Sequence, residues 1–242
     1  MPEPRSPDRK PAAAQATAQA TAQATAPRSE YASYMRTDEL LALQRSDTQL
    51  LHRDERLFQC VHQATELWLK QANFEIGHAT SLIEASQLVG AARILARASD
   101  CIDFITRQLD ILTRMGPVGY RALRPALGQG SGVQSPGWQG LRAAAPRLHA
   151  AFTARRQAER MSLAEVFGCA GDAPLQLLAE ALLDLDGKVS LWRTRHLQLV
   201  VRTLGGQGVG TRGMPVHALA QLLEQRLFGE LWEARAAAPG SA

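Results

Sequence analysis

Apolar residues return every third or fourth position through most of this chain, and that periodicity leaves room for little but helix. Ile94, Ala98, Ile102, Ile105, Leu109 and Leu112 form one such stripe, and Leu182, Leu185, Val189, Trp192, His196 and Leu199 form another. No run alternates polar and apolar side chains with period two, so a sheet is not expected. Abundant Ala and Leu, with only 5% aromatic residues, favour helix further. The expected fold class is an all-α helical bundle.

Local signals divide the bundle. The spacing predicts a short helix within 31–44, with Asp38 and Glu39 suited to its first turn. A long helix over 54–88 follows, with Asp54 as its N-cap and Phe58, His62 and Leu69 on one face, ending at Val89-Gly90. A third helix over 91–115 stops at Gly116-Pro117, and a short one covers 118–127. Beyond a Gly/Ser loop at 128–138, shorter helices are expected over 141–159 and 161–167, then a long one over 174–204. A glycine-rich loop at 205–215 precedes a last helix over 216–236. Residues 1–29 are Pro-rich and then repeat Ala-Gln-Ala-Thr from Ala14, with no side chains capable of forming a core, so this tail is expected to be disordered. Residues 237–242 are expected to fray, which leaves 30–236 as the folded domain.

Charge and cysteine usage narrow the function classes. A net charge of +4 is spread along the chain and does not form a nucleic-acid footprint. No apolar run approaches the roughly 18 residues of a membrane span, and the start of the chain lacks the apolar core of a secretory signal. Cys60, Cys101 and Cys169 lie near apolar stretches without CxxC spacing, which reads as reduced core thiols in a cytoplasmic protein.

Two histidines interrupt the apolar stripes. His196 stands in a helix seam, and no Cys, Asp or second His lies three or four positions away, as a zinc site would need. It reads either as a hydrogen-bonded core histidine or as the single axial imidazole of a haem, whose porphyrin fills the in-plane positions. His62 sits one turn after Phe58 and could take one hydrogen bond from a flat, partly apolar ligand; a satisfied core histidine fits equally. Arg124, one turn after Tyr120, could hold a carboxylate bidentately with Tyr120 steadying the fork, or lie solvated on the surface. The loop at 205–215 has glycines to wrap a small ligand but no GKS or GKT of a phosphate loop.

The blocks YASYMRTDELL (Tyr31–Leu41), LFQCVHQATELWLK (Leu57–Lys70), MGPVGYRALRPALGQGSGVQS (Met115–Ser135), LWRTRHLQLVVRTLG (Leu191–Gly205) and LFGELWEAR (Leu227–Arg235) resemble, in order, those of tryptophan 2,3-dioxygenases. The resemblance spans most of 31–235 and implies haem b and dioxygen acting on the indole C2–C3 bond of L-tryptophan or a substituted tryptophan, toward an N-formylkynurenine-type product. It implies His196 as the proximal ligand to iron, Ser131 as a serine near the haem, and His62 as the distal histidine beside the indole nitrogen. Phe58 matches a pocket aromatic, Arg124 the carboxylate-binding arginine and Tyr120 the tyrosine beside it. Thr211 matches the threonine that meets the substrate ammonium. Tyr31 and Tyr34 match a segment that enters a neighbour's pocket in a homotetramer.

Departures from the family pattern bear on outcome. The late loop reads GTRGMP where GTGGSSG is usual, Leu123 stands where an aromatic is usual, and the region between Ser135 and Pro174 is shorter. These changes spare the implied haem and carboxylate contacts while remodelling the lid. They leave open a monooxygenation giving a hydroxylated or oxindole product in a biosynthetic pathway. A non-catalytic haem-binding protein is a further alternative, although haem binding alone requires neither Arg124 nor His62.

Overall fold

The structure, a computed structural model, describes residues 28–169, 173–206, 208–210, 213 and 215–238. Among them are ten α-helices, no strand, and one isolated bridge between Val209 and Pro215. The chain divides into two compact units at Arg45–Ser46. In the first, α1 (Glu30–Met35) and α2 (Thr37–Leu41) are separated by Arg36, which takes a left-handed conformation at φ 53°. Ser29 caps α1 by accepting from the Ala32 N–H at 3.1 Å. The single helix expected here is therefore two, and Asp38 and Glu39 serve the first turn of the second.

The second unit is built on four long helices: α3 (Asp54–Glu84), α4 (Leu88–Arg107), α7 (Pro136–Ala158) and α9 (Pro174–Leu204). Helix α3 packs between α4 and α7, and α4 packs between α3 and α9. The core runs through all four: Leu69, Ile76 and Ile83 of α3, Leu95, Ile102 and Ile105 of α4, Leu141, Leu148 and Phe152 of α7, and Leu178, Leu182 and Val189 of α9 are each at most 1% exposed. Burying each such side chain contributes about 1.5–3 kcal/mol, which is why the apolar stripes dictate the packing. Short helices α5 (Leu109–Leu112), α6 (Pro117–Leu127), α8 (Leu163–Gly168) and α10 (Gly229–Ala236) complete the unit. No helix among the described residues is long and apolar enough to cross a membrane.

Several boundaries depart from those expected. Helix α3 ends at Glu84, because Ser86 turns the chain at φ 64°, and Val89-Gly90 lie inside α4. The helix expected over 91–115 divides into α4 and α5. Helix α7 begins at Pro136, capped by the Ser135 hydroxyl, so the Gly/Ser loop is shorter than its composition suggests. The segment 216–236 is a 3₁₀ stretch, Val216–Leu223, then a separate α10. Of the cysteines only Cys101 is buried, where burial pushes its thiol pKa up; Cys60 is exposed and Cys169 half-buried, which corrects the expectation of three core thiols.

Beside the main core lies a smaller one, in which Val61, Leu109 and Leu112 are buried against Leu57, Trp192 and Leu199. It joins α3, α5 and α9 at the end of the bundle that carries both histidines.

Candidate active site

His62 lies on α3, where its Nδ1 is 2.8 Å from the Phe58 carbonyl oxygen. A carbonyl only accepts, so Nδ1 carries the hydrogen and the neutral ring keeps its free lone pair on Nε2. Phe58 stacks on the same ring, with centroids 4.0 Å apart and planes 30° from parallel. The residue is exposed, contrary to a fully apolar helix face, yet protein crowding desolvates the ring and holds its pKa below the ordinary value. The Phe58 carbonyl and the Glu66 carboxylate oppose that lowering without reversing it.

His196 on α9 is half-buried and stacks nearly parallel on Trp192, centroids 4.9 Å apart and planes 6° from parallel. Burial lowers its pKa to about 4, and repulsion from His62 adds to the effect. That repulsion places the two imidazoles within electrostatic reach of each other, although 134 residues separate them in sequence. Trp192 in turn meets Trp138 at 4.3 Å between centroids, and its indole Nε1 is buried without a partner.

Helix α6 packs against both α3 and α9. Its approach to α3 depends on Gly119, where a Cβ would stand 2.8 Å from Asp54 Oδ2 and 3.3 Å from the His52 ring. Arg124 on the last turn donates from Nη2 to the Gly210 carbonyl at 2.8 Å, and its Nη1 is buried with no partner. A buried guanidinium nitrogen without an acceptor is costly, and it marks a place where an anion can bind. Tyr120, one turn earlier, is half-buried; the group that holds the guanidinium is the Gly210 carbonyl, a loop contact that helical spacing gives no sign of.

The remaining expected residues are placed less centrally. Leu123 is 1% exposed, packed in the interior of α6's inner face. Ser131 caps the 3₁₀ turn Gly132–Gln134, accepting from the Val133 N–H, and its hydrogen bonds stay within that turn. Tyr31 and Tyr34, in the first unit, are 68% and 88% exposed. Thr211 lies outside the described residues. Among the described residues no group of three His, Cys, Asp or Glu side chains could hold a metal ion. The residues to which sequence patterns assign no role in the site are Glu66, Gly210 and Trp192, the last read only as part of an apolar stripe. Glu66 stands four positions after His62 in HQATELW and Trp192 four before His196, a spacing that shares a helix face.

Comparison with known proteins follows the same lines. A family model described as tryptophan 2,3-dioxygenase matches residues 14–144. A tryptophan 2,3-dioxygenase of Bacillus cereus is 30% identical over 257 residues, covering 85% of this chain and 91% of the relative. One from Caulobacter vibrioides is 30% identical over 258 residues, covering 85% and 97%, and one from Bordetella parapertussis is 31% identical over 260 residues, covering 85% and 89%.

Proposed function

The chain belongs to the tryptophan 2,3-dioxygenase family, and from that membership we propose that it is a haem-dependent oxygenase opening the indole C2–C3 bond of L-tryptophan or a substituted tryptophan with dioxygen. The observation that carries the reading to this chain's own residues is the buried, unpartnered Nη1 of Arg124, at the end of the bundle that carries a histidine of defined tautomer.

The residues fit a haem. A single imidazole held neutral by burial, stacked on an indole and in no metal-binding cluster among the described residues, suits a macrocycle that brings its own in-plane donors. His196 would hold the iron, with the Trp192 indole stacked on its ring. Ser131 would lie near the haem. When bound, the haem supplies the binding and activation of dioxygen.

The protein's own work is orientation. Arg124 takes the substrate carboxylate on Nη1, where the ion pair forms out of bulk water. His62 accepts the indole N–H on Nε2, a role fixed because Nδ1–H is held by the Phe58 carbonyl. At neutral pH the lowered pKa keeps His62 uncharged, so it holds the indole proton in place without removing it. Phe58 lines the apolar side of the indole, with Tyr120 and Leu123 behind the carboxylate site. Thr211 meets the ammonium group. Tyr31 and Tyr34 complete the pocket of a neighbouring copy in a homotetramer.

Mass spectrometry of products formed from tryptophan and ring-methylated tryptophans under labelled dioxygen tests this reading. Incorporation of two labelled atoms with ring opening is the expected outcome. One labelled atom would assign monooxygenation, and protein that binds no haem would reject the reading altogether.

A further inference from the structure

Glu66 stands one turn beyond His62 on α3, and it lies outside the set of residues that would touch haem or substrate. Its two carboxylate oxygens are both engaged across the helix interface. Oε1 accepts from the Ser135 hydroxyl, and Oε2 accepts from the Gly137 N–H at 3.0 Å. Ser135 is the N-cap of α7, its Oγ accepting from the Trp138 N–H at 3.1 Å, and it closes the turn that Ser131 opens. A second tie runs alongside, from Asn73 Nδ2 to the Gly137 carbonyl at 2.9 Å.

The helices meet here with no slack. A Cβ on Gly137 would fall 2.5 Å from Leu69 Cβ and 2.9 Å from Glu66 Oε2. The next residue, Trp138, packs on Trp192, which stacks on His196. One carboxylate thus anchors a junction with two outlets: back along α3 by one turn to His62, and through Trp138 and Trp192 to His196. A carboxylate at a helix N-terminus is also favoured by the exposed N–H groups and the helix dipole, which hold this geometry firmly.

We propose that Glu66 is a positioning residue of the site, whose clamp on Ser135 and Gly137 fixes the spacing between the His62 and His196 helices. The proposal rests on the functional reading above. Its charge has a second consequence. The Glu66 carboxylate favours the protonated His62 ring, as the Phe58 carbonyl does, while His62 in turn disfavours protonation of His196 on α9.

Two substitutions in the full-length holoenzyme separate clamp from charge. Glu66→Ala removes both hydrogen bonds and is expected to raise KM for tryptophan about tenfold, which is 1.4 kcal/mol, while retaining haem. Glu66→Gln keeps an acceptor for the Gly137 N–H and is expected to restore most of that binding. The same Gln variant is expected to shift the pH midpoint of His62 ethoxycarbonylation by diethyl pyrocarbonate, read by peptide mass spectrometry, downward by a few tenths of a unit. A bundle clamp with no role in the site would lower Tm and leave KM unmoved. The chemical labelling needs neither haem nor substrate, so it tests Glu66 even if the oxygenase reading fails. Glu66→Ala with wild-type KM overturns the positioning role, and Glu66→Gln with an unmoved His62 midpoint overturns the effect of its charge on His62.

Discussion

Arg124 holds one guanidinium nitrogen to a loop carbonyl and leaves the other buried with nothing to bond, and that atom makes the most direct residue-scale prediction. A charge-assisted contact there contributes about 2–5 kcal/mol when its loss strands a partner. Arg124→Ala should weaken tryptophan binding roughly 30-fold or more, by the rule of about 1.4 kcal/mol per decade. Haem content and the carbon monoxide spectrum should stay unchanged, and indole without a carboxylate should bind both proteins equally. Arg124→Lys should recover only part of the loss, because an ammonium lacks the planar fork. Titration of the Soret band checks all four outcomes; loss of haem in the Ala variant would make the arginine structural. His196 makes a prediction about pH. Its folded pKa of about 4 lies below the ordinary histidine value, so between the two the unfolded chain binds the extra proton. The stability of haem-free protein is therefore fully present above about pH 6.5 and declines as pH falls toward 4, with a slope near 1.4 kcal/mol per unit at most. Thermal melts of haem-free wild type and His196→Leu from pH 8 to 5 measure it. A slope unchanged in the variant would show that this imidazole is not desolvated.

At the scale of elements, the crossing of α3 and α7 is the most sensitive contact near the site. Gly137→Ala forces a methyl into Leu69 and Glu66, and overpacking of this kind costs about 1–3 kcal/mol. Gly77 on α3 is the control: it has nothing within 4 Å of an added Cβ, so Gly77→Ala should stabilise by about 0.5–1 kcal/mol through helix propensity. Denaturant unfolding of the two variants should show opposite signs. The elements themselves were legible from periodicity, since burial of Leu95, Ile102, Leu182 and Val189 is what the stripes encode. Their ends were less so. The break after α3 falls at Ser86, a non-glycine residue in a left-handed conformation, while Gly90 sits inside α4. The site divides along the same line. His62, His196 and Arg124 stand out as polar residues in apolar or specific blocks, and the resemblance assigned them roles. Glu66 and Gly210 act through contacts 69 or more residues away in sequence, which no local pattern announces.

For the whole molecule, the open question is how many chains make one working site. Neither α1 nor α2 contains a buried residue, and Tyr31, Tyr34, Leu41 and Leu43 are 64% exposed or more. Helices of five or six residues are not stable through their own hydrogen bonds, which need roughly 12 or more residues to outweigh nucleation. A segment of this kind, with two exposed tyrosines, gains stability by docking its aromatic face on another surface, and the proposed homotetramer supplies one in the neighbour's pocket. Residues 1–29 differ: they hold no branched aliphatic or aromatic side chain to dock with. Removing 1–29 should therefore leave kcat and assembly largely unchanged apart from the lost Ser29 cap, which removing 1–28 would spare, whereas removing 1–36 should abolish turnover through loss of Tyr31 and Tyr34. Tyr31→Ala with Tyr34→Ala should raise KM for tryptophan while keeping haem, because the tyrosines would close a pocket and hold no iron. Mixing that variant with a haem-loaded Arg124→Ala chain gives the decisive measurement. If each chain lends its tyrosines to another chain's site, mixed oligomers recover turnover at low tryptophan beyond that of either parent, since some sites combine an intact arginine with an intact neighbouring segment. A fully active monomer by light scattering, or no recovery on mixing at proven subunit exchange, would show that each chain completes its own site.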